Sequence, residues 1–309
     1  MACRLWALAL VTAAISGCGT SVSLSGSAPT TPATASVRQP ETPTETPPAT
    51  ARTAPALPDT TARGDRHRHR PAPPRLDTWQ MGASPLPLRP DGYGQVRPTP
   101  PELRVRRMPT VDRLRPPAGG RYEAAVEPVT ARVRRRMGTT WSPGCPVALH
   151  DLRYVTTSFW GFDGRPHTGE LVVNARVAHD LVGVFHRLYR IRYPIEEMRL
   201  VTTADLKAHP TGDGNNTAAF VCRPTRGGSQ WSAHAYGLAV DVNPFLNPYR
   251  DGDLVLPELA SAYLRRSWHR PGMITAHGEV VDAFKGVGWT WGGTFDSVSD
   301  PMHFSATGR

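Results

Sequence analysis

Cysteine is scarce in this sequence, and the few cysteines lack metal-binding spacing. Only four occur in 309 residues, and no two stand in the Cys-x-x-Cys arrangement of zinc ribbons and related sites. Thiolate ligation of a metal is therefore the weakest interpretation of them. Two of the four, Cys145 and Cys222, lie outside the first 18 residues. An even pair predicts a disulfide bond if the chain is exported, with two free thiols as the alternative.

The N-terminus has no apolar run long enough to cross a membrane as a mature helix. Its apolar stretch covers residues 5–15, follows a single positive charge at Arg4, and has the length of a signal-peptide core. Small residues then precede Cys18, an order that resembles the lipobox of bacterial lipoproteins. We therefore predict a lipoprotein-type signal peptide over residues 1–18, with Cys18 lipidated. The alternative is an ordinary secretory signal beside an incidental cysteine.

Acidic residues are scarce in the N-terminal part of the chain. Residues 1–140 carry 20 Lys plus Arg against 10 Asp plus Glu, whereas residues 141–309 carry 16 of each. The whole net charge of +10 therefore belongs to the N-terminal part. Because the C-terminal part is neutral, the high isoelectric point does not predict nucleic-acid binding, and we expect no nucleic-acid partner.

Apolar residues are few between residues 19 and 120, and 21 of the 32 prolines lie before residue 130. So little apolar surface cannot offset the entropy of ordering, and we predict a disordered tether over residues 19–120. Its positive charge would favour anionic polymers of the wall or the membrane. Lipid anchor and tether together predict an exported protein at the outer face of the bacterial cytoplasmic membrane, in the cell envelope.

A folded part is expected after the tether. Residues 121–139 form a basic lead-in, for which a short helix over 122–126 and then 129–137 is one interpretation. Residues 140–309 mix two patterns: β character at 152–159 and 238–242, and apolar residues at helical spacing from 177 to 189. This mixture predicts an α+β domain, which we expect to be monomeric.

A short apolar run, SAHAYGLAVDVN, contains a histidine and an aspartate. His234 precedes Asp241 by seven residues, an odd separation that would place them on opposite faces of one straight strand. Gly237 can supply the bend that returns His234 to the side of Asp241, because glycine tolerates backbone angles that other residues avoid. A second stretch, DPMHF, places Asp300 three residues before His303.

These side chains supply two histidines, one ligating carboxylate and one spare carboxylate. That is the inventory of a catalytic zinc site, which has three protein ligands, an open position for water and a nearby base. A structural zinc site instead completes its coordination with a fourth protein ligand. A lone histidine at position 234 would more often be a surface or core residue, so the hypothesis depends on the whole set.

The complete pattern is SxHxxGxAxD, followed by WxWGG and then by DxxH near the C-terminus. It resembles the D-alanyl-D-alanine carboxypeptidase family of zinc peptidases, which also contains L-alanyl-D-glutamate endopeptidases. The resemblance spans roughly residues 144–304. It includes GCPV at 144–147, stretches within 161–174, NNTAAFVCR at 215–223 and GWTWGG at 288–293. The resemblance implies a zinc-dependent peptidase that acts on the peptides of peptidoglycan.

The resemblance also implies roles for individual residues. His234, Asp241 and His303 would be the zinc ligands, and Asp300 would be the general base. The implied fold is α+β, with a small antiparallel sheet that carries the ligands and with flanking helices. One departure is visible, because many family members have an acidic residue after the His-Phe pair where this chain has Ser305.

Arg223 is a further candidate catalytic residue, on chemical grounds. An arginine can stabilise the oxyanion that forms on a scissile carbonyl, or hold a substrate carboxylate with two hydrogen bonds. A disulfide at Cys222 would hold Arg223 near the cleft, and the alternative is an ordinary surface arginine. The functional hypotheses are a D-Ala-D-Ala-type carboxypeptidase, an L-Ala-D-Glu-type endopeptidase, and a non-catalytic peptidoglycan-binding zinc domain.

Three more residues have two interpretations each. Trp289 and Trp291 belong either to the core or to a wall of the cleft, and we expect a mixture because tryptophan is usually only partly buried. His167, in a turn-rich stretch, is expected to be structural rather than substrate-facing.

Overall fold

The computed structural model describes residues 78–308, which lie within one compact unit. The strands are Ala124–Pro128 (β1), Leu152–Trp160 (β2), Pro166–Asn174 (β3), Glu197–Met198 (β4), Asn216–Thr217 (β5), Ala239–Asp241 (β6), Tyr249–Asp251 (β7), Leu254–Leu256 (β8), Thr290–Trp291 (β9) and His303–Ser305 (β10). The α-helices are Ala131–Met137 (α1), Ala178–Arg190 (α2), Thr203–Lys207 (α3) and Glu279–Lys285 (α4). This mixture of helices with small, mostly antiparallel sheets confirms the α+β class.

The larger sheet has three strands in the order β1-β2-β3. Its strands pair antiparallel, and β2 and β3 pair over their full length. Helix α2 packs on β2, and the residues of its buried face recur at helical spacing as the sequence predicts. That face consists of Ala178, Leu181, Val184, Phe185 and Leu188.

A smaller antiparallel sheet has the strand order β6-β10-β9. Phe304 of β10 stacks on Phe284 of α4, with ring centres 3.9 Å apart. Trp289 and Trp291 are both buried in the same core as these rings, so neither is a wall of the cleft. Among residues 78–308, no helix combines the length and the apolar content that crossing a bilayer requires.

The folded part begins earlier than the sequence predicts. Residues 78–120, here called the N-terminal strap, pack on the domain, and the prediction of a tether is wrong for this stretch. Leu86 and Leu103 of the strap are buried in a cluster with residues from the C-terminal half of the chain. Residues 1–77 lie outside the described residues, and with them the predicted signal peptide, Cys18 and the rest of the predicted tether.

The contacts of Arg106 explain how the polar N-terminal strap is held against the rest of the domain. Its side chain is buried, donates from Nε to Oε2 of Glu196 at 2.7 Å, and lies 4.3 Å from the ring centre of Phe245. Its backbone N–H donates to the hydroxyl of Tyr263 at 3.0 Å. A few buried anchors of this kind order the strap without any apolar periodicity that the sequence could reveal.

Residues 121–139 belong to the domain rather than lead to it. The sequence allows a helix over residues 122–126, but most of this stretch lies in β1, which pairs with β2. The helix α1 does form, and the side chain of Thr130 caps it by accepting a hydrogen bond from the N–H of Val133 at 3.3 Å. A domain boundary at residue 140 is therefore too late.

The predicted disulfide between Cys145 and Cys222 is present, with Cα atoms 5.8 Å apart. It joins the loop before β2 to the segment that precedes His234. The N–H of Cys222 also donates to the carbonyl of Thr140 at 2.9 Å. The backbone beside Arg223 is thus fixed from two sides.

Candidate metal centre and cleft

His234 lies in a short 3₁₀ turn, Ala233–Tyr236, just before β6. Gly237 follows with φ of +68°, the left-handed conformation that favours glycine. A Cβ at this position would lie 2.6 Å from the backbone nitrogen of Asn174. Gly237 therefore supplies the bend that the sequence predicts, and it also permits the close approach of the turn to β3.

Asp241 and His303 are cross-strand neighbours. They stand opposite each other in the register of β6 and β10, so their side chains share one face of the sheet. Nδ1 of His303 lies 3.1 Å from Oδ1 of Asp241. Nε2 of His234 lies 3.2 Å from that nitrogen and 3.3 Å from that oxygen. The three candidate ligand atoms thus form a nearly equilateral triangle.

This triangle fits a tetrahedral divalent metal. Ligands at the usual zinc distances of about 2.0–2.1 Å and at tetrahedral angles stand about 3.3–3.4 Å apart, close to the observed edges. A metal site of this kind needs at least three histidine, cysteine or acidic side chains whose ligand atoms lie close together. Within residues 78–308, these three side chains form the one such group. Two imidazoles and a carboxylate suit zinc, and they leave a fourth position for water or substrate.

A backbone carbonyl sets the orientation of His234. Nδ1 of His234 lies 2.5 Å from the carbonyl oxygen of Ala219, so Nδ1 carries the proton and donates it. The lone pair is then on Nε2, the atom that faces the other two ligands. Ala218 holds this carbonyl in place by exchanging two backbone hydrogen bonds with Asp241, at 3.1 and 2.9 Å. Metal-binding histidines in proteins typically have such a partner.

The charges of the triangle match what metal ligation requires. Burial lowers the pKa of His234, because the imidazolium form is disfavoured away from water. Burial opposes ionisation of Asp241 as well, but His234 and then His303 outweigh it and hold the pKa of Asp241 well below its usual value. Neutral imidazole and ionised carboxylate are the ligating forms of these groups.

Asp300 is positioned by a tight turn against Gly292. The N–H of Asp300 donates to the carbonyl of Gly292 at 3.1 Å, and the N–H of His303 donates to the carbonyl of Asp300 at 3.0 Å. A Cβ on Gly292 would lie 2.5 Å from the carbonyl oxygen of Asp300. The first glycine of the WGG motif is therefore required for Asp300 to reach the cleft.

The carboxyl group of Asp300 is buried, yet its Oδ1 has no hydrogen-bond partner among the described residues. Burial, followed by the negative charge of Asp241, raises the pKa of Asp300 to about 6. A carboxyl group with an unpaired oxygen and a raised pKa is suited to proton exchange near neutral pH.

Arg223 lines the same cleft as these groups. It is half-buried, and one Nη1–H donates to the backbone carbonyl of Pro224 at 3.2 Å. Burial, and then the charge of neighbouring Arg226, lower the pKa of Arg223. Because no carboxylate of the described residues forms an ion pair with it, this cation is available to a substrate.

The metal triangle opens into a cleft of about 1170 Å³. Its wall includes residues that the sequence analysis did not select, namely Arg226, Trp231, Tyr249 and Phe295. The signal that could have found Arg226 is its position in the polar turn that also carries Arg223. His167, by contrast, is buried between Asp112 and Asp163, at 2.7 and 3.0 Å from their carboxylates, in the structural role predicted for it.

Residues 225–306 match the sequence profile of a family described as D-alanyl-D-alanine carboxypeptidase. This stretch contains all three residues of the metal triangle together with Asp300. The match confirms the predicted resemblance over these 82 of the 309 residues, where the chain is similar to peptidases of the D-alanyl-D-alanine carboxypeptidase type. Comparisons with curated proteins and with solved structures found no match.

Proposed function

We propose that this protein is a zinc-dependent carboxypeptidase that removes the terminal D-alanine from the stem peptides of peptidoglycan. The observation that carries the proposal is the placement of Oδ1 of Asp300, without a described partner, in the cleft that also contains the triangle of His234, Asp241 and His303. The match of residues 225–306 supports the class of reaction. The donor set of two imidazoles and one carboxylate supports zinc.

The three ligating side chains would hold the metal through defined atoms. These atoms are Nε2 of His234, Oδ1 of Asp241 and Nδ1 of His303. When bound, zinc would supply Lewis acidity, which polarises the scissile carbonyl and acidifies water. The carbonyl of Ala219 keeps His234 in the tautomer that presents its lone pair to the site.

Asp300 moves the proton in this mechanism. At Oδ1 it accepts a proton from the attacking water, and it later donates that proton to the leaving amine. With a pKa of about 6, the carboxyl group is mostly ionised at pH 7 and still basic enough to take the proton. Arg223 donates its N–H groups to the oxyanion that develops on the scissile carbonyl.

An L-Ala-D-Glu-type endopeptidase is the alternative, and the size of the cleft favours it. The cleft volume of about 1170 Å³ exceeds the roughly 300–1000 Å³ of a typical small-ligand site, so a longer peptide would fit. A non-catalytic, peptidoglycan-binding zinc domain is disfavoured by Asp300. A purely structural site gains nothing from a buried carboxylate oxygen without a partner.

Mass spectrometry of defined muropeptides distinguishes these functions. The zinc-loaded protein is incubated with each muropeptide, beside His234→Ala, which lacks one ligand. Loss of one terminal D-alanine, absent with the variant, is the expected result. Cleavage inside the stem would establish the endopeptidase. If zinc is bound but no product forms, the non-catalytic peptidoglycan-binding domain would be the remaining hypothesis.

We also propose that the protein is exported and lipid-anchored through Cys18 at the outer face of the bacterial cytoplasmic membrane. The signal-like order of residues 1–18 supports this, and the basic cluster at residues 63–75 supports contact with anionic wall polymers. Fractionation tests it, because Cys18→Ala should move the protein from the membrane fraction to the soluble one. Gel filtration of the released protein should give the size of a monomer.

A further inference from the structure

Two arginines line the cleft, and neither has an ion-pair partner among residues 78–308. Six other arginines of the described chain do pair with carboxylates, namely Arg89, Arg106, Arg113, Arg136, Arg165 and Arg199. Of the two cleft arginines, Arg223 is half-buried, and its charge interacts with those of Asp241 and Asp300. Arg226 is exposed, in the turn that Pro224 and Trp231 close by backbone pairing.

An aromatic ring holds Arg226 in place. The guanidinium carbon of Arg226 lies 5.0 Å from the ring centre of Tyr249, within the range of a cation–π interaction. Tyr249 is buried in a cluster with Leu256 and Met302, and Tyr93 of the N-terminal strap packs against that cluster. The ring is a fixed surface, and stacking on it leaves the N–H groups of Arg226 for another partner.

The acidic residues of the cleft do not take those N–H groups. Asp241 belongs to the metal triangle, and Asp300 has its own place in the proton transfer. Asp251 accepts a hydrogen bond from the hydroxyl of Tyr249 at 3.4 Å. Neither Asp251 nor Asp296, the remaining acidic residue of the cleft wall, forms an ion pair with Arg226. An exposed arginine that is held by a ring and has no described acidic partner suits an anionic ligand, and the planar guanidinium suits a carboxylate best.

We infer that Arg226 binds the free carboxylate at the C-terminus of the substrate, while Arg223 serves the scissile carbonyl. In a D-alanyl-D-alanine end, that carboxylate lies one residue beyond the scissile bond, and consecutive Cα atoms are about 3.8 Å apart. Arg226 and Asp300 line the same cleft, so the two ends of one terminal residue can meet the two groups. This assignment rests on the proposed function, and it makes Arg226 the residue that selects chain ends over internal bonds.

Such a contact should affect substrate binding rather than the chemical step. The terminal carboxylate is charged in the bound substrate and in the transition state alike, so its recognition lowers KM and leaves kcat unchanged. Because Arg226 is exposed, solvent weakens the attraction, and we expect an effect of about 5- to 10-fold.

The test compares one peptide that ends in D-Ala-D-Ala with the same peptide as its C-terminal amide. The zinc-loaded wild type should show a KM about 5- to 10-fold lower for the acid than for the amide. Arg226→Gln should show equal KM values for both peptides with kcat unchanged, and Arg226→Lys should restore part of the preference. Arg192→Gln is the matched control, because this exposed arginine also lies over a ring, 4.7 Å from that of Trp160, outside the cleft.

A wild type that treats acid and amide alike, or an Arg226→Gln variant that keeps the preference, would overturn the assignment. If neither peptide is hydrolysed, the proposed function fails, and calorimetric binding of the same two peptides then decides on Arg226 alone. Tighter binding of the acid by the wild type, lost in Arg226→Gln, would still support the inference. Equal binding of both peptides, or binding of neither, would overturn the assignment of Arg226 to the terminal carboxylate.

Discussion

The metal centre and the N-terminal strap both bury charged side chains, but they do so in opposite ways. In the strap, Nε and Nη2 of Arg106 meet the two carboxylate oxygens of Glu196, and only Nη1 lacks a hydrogen-bond partner among residues 78–308. In the metal centre, the triangle and Asp300 all face a cleft. Buried charged side chains that pair with each other anchor the chain, whereas buried charged side chains that face a cleft are available to a ligand. Changes in the first should cost stability, and changes in the second should cost activity.

The largest effect should come from Asp300→Asn. Asparagine keeps the size of the side chain but cannot take the proton, so kcat should fall about 10²- to 10⁴-fold. Zinc content, measured by atomic absorption, should stay at that of the wild type because Asp300 is not in the triangle. Wild-type turnover in this variant would remove Asp300 from the mechanism.

Arg106→Ala tests the other side of the comparison. It leaves Glu196 buried without its cation, which should lower the free energy of unfolding by about 3–5 kcal/mol. Urea unfolding measures this, and Arg107→Ala is the control, since Arg107 is exposed and should change stability by less than about 0.5 kcal/mol. If both variants unfold at the same urea concentration, the strap does not stabilise the domain.

Replacing both Cys145 and Cys222 by serine should have an intermediate effect. The bond spans 77 residues, and disulfides typically contribute about 2–4 kcal/mol to the free energy of unfolding. Because Cys222 adjoins Arg223, kcat should fall as well, which would make this the change that affects both stability and activity. Unchanged kcat in the double variant would show that the disulfide does not position Arg223.

The smallest expected effect belongs to Gly237→Ala. A Cβ in the left-handed conformation costs about 1–2 kcal/mol, and here it would also meet the backbone of β3. The strain should displace His234 and weaken zinc affinity, measured by competition with a chelator. Gly183→Ala is the control, since a Cβ there meets nothing within 4 Å and the position is helical. Equal zinc affinity in the two variants would show that the bend is not needed.

The candidate metal centre could be predicted from the sequence because its candidate ligands are uncommon residue types at fixed spacing. The bend at Gly237 is predictable from the sequence alone. His234 and Asp241 are seven residues apart, so one straight strand could not place both side chains on the same face. The strap could not be found in this way. Arg106 meets Glu196 across 90 residues of sequence, and a single arginine among prolines carries no sign of its partner.

The stretch 122–126 shows the same limit for secondary structure. Its local pattern allowed a helix, and its pairing with β2 made most of it a strand. Tertiary contacts decide such short segments, and propensity alone does not. Arg226 was missed for a related reason, because its significance depends on Tyr249, which lies in β7, away from the turn that carries Arg226.

Asp241 and His303 stand 62 residues apart in the sequence and face each other across two strands. An ion held by both would bridge β6 to β10, so part of its binding free energy would retain the last strand of the domain on the sheet. Amide hydrogens of β10 would then exchange with solvent more slowly when the ion is bound. Hydrogen exchange in β10 would therefore measure metal occupancy, even in the absence of a peptide substrate.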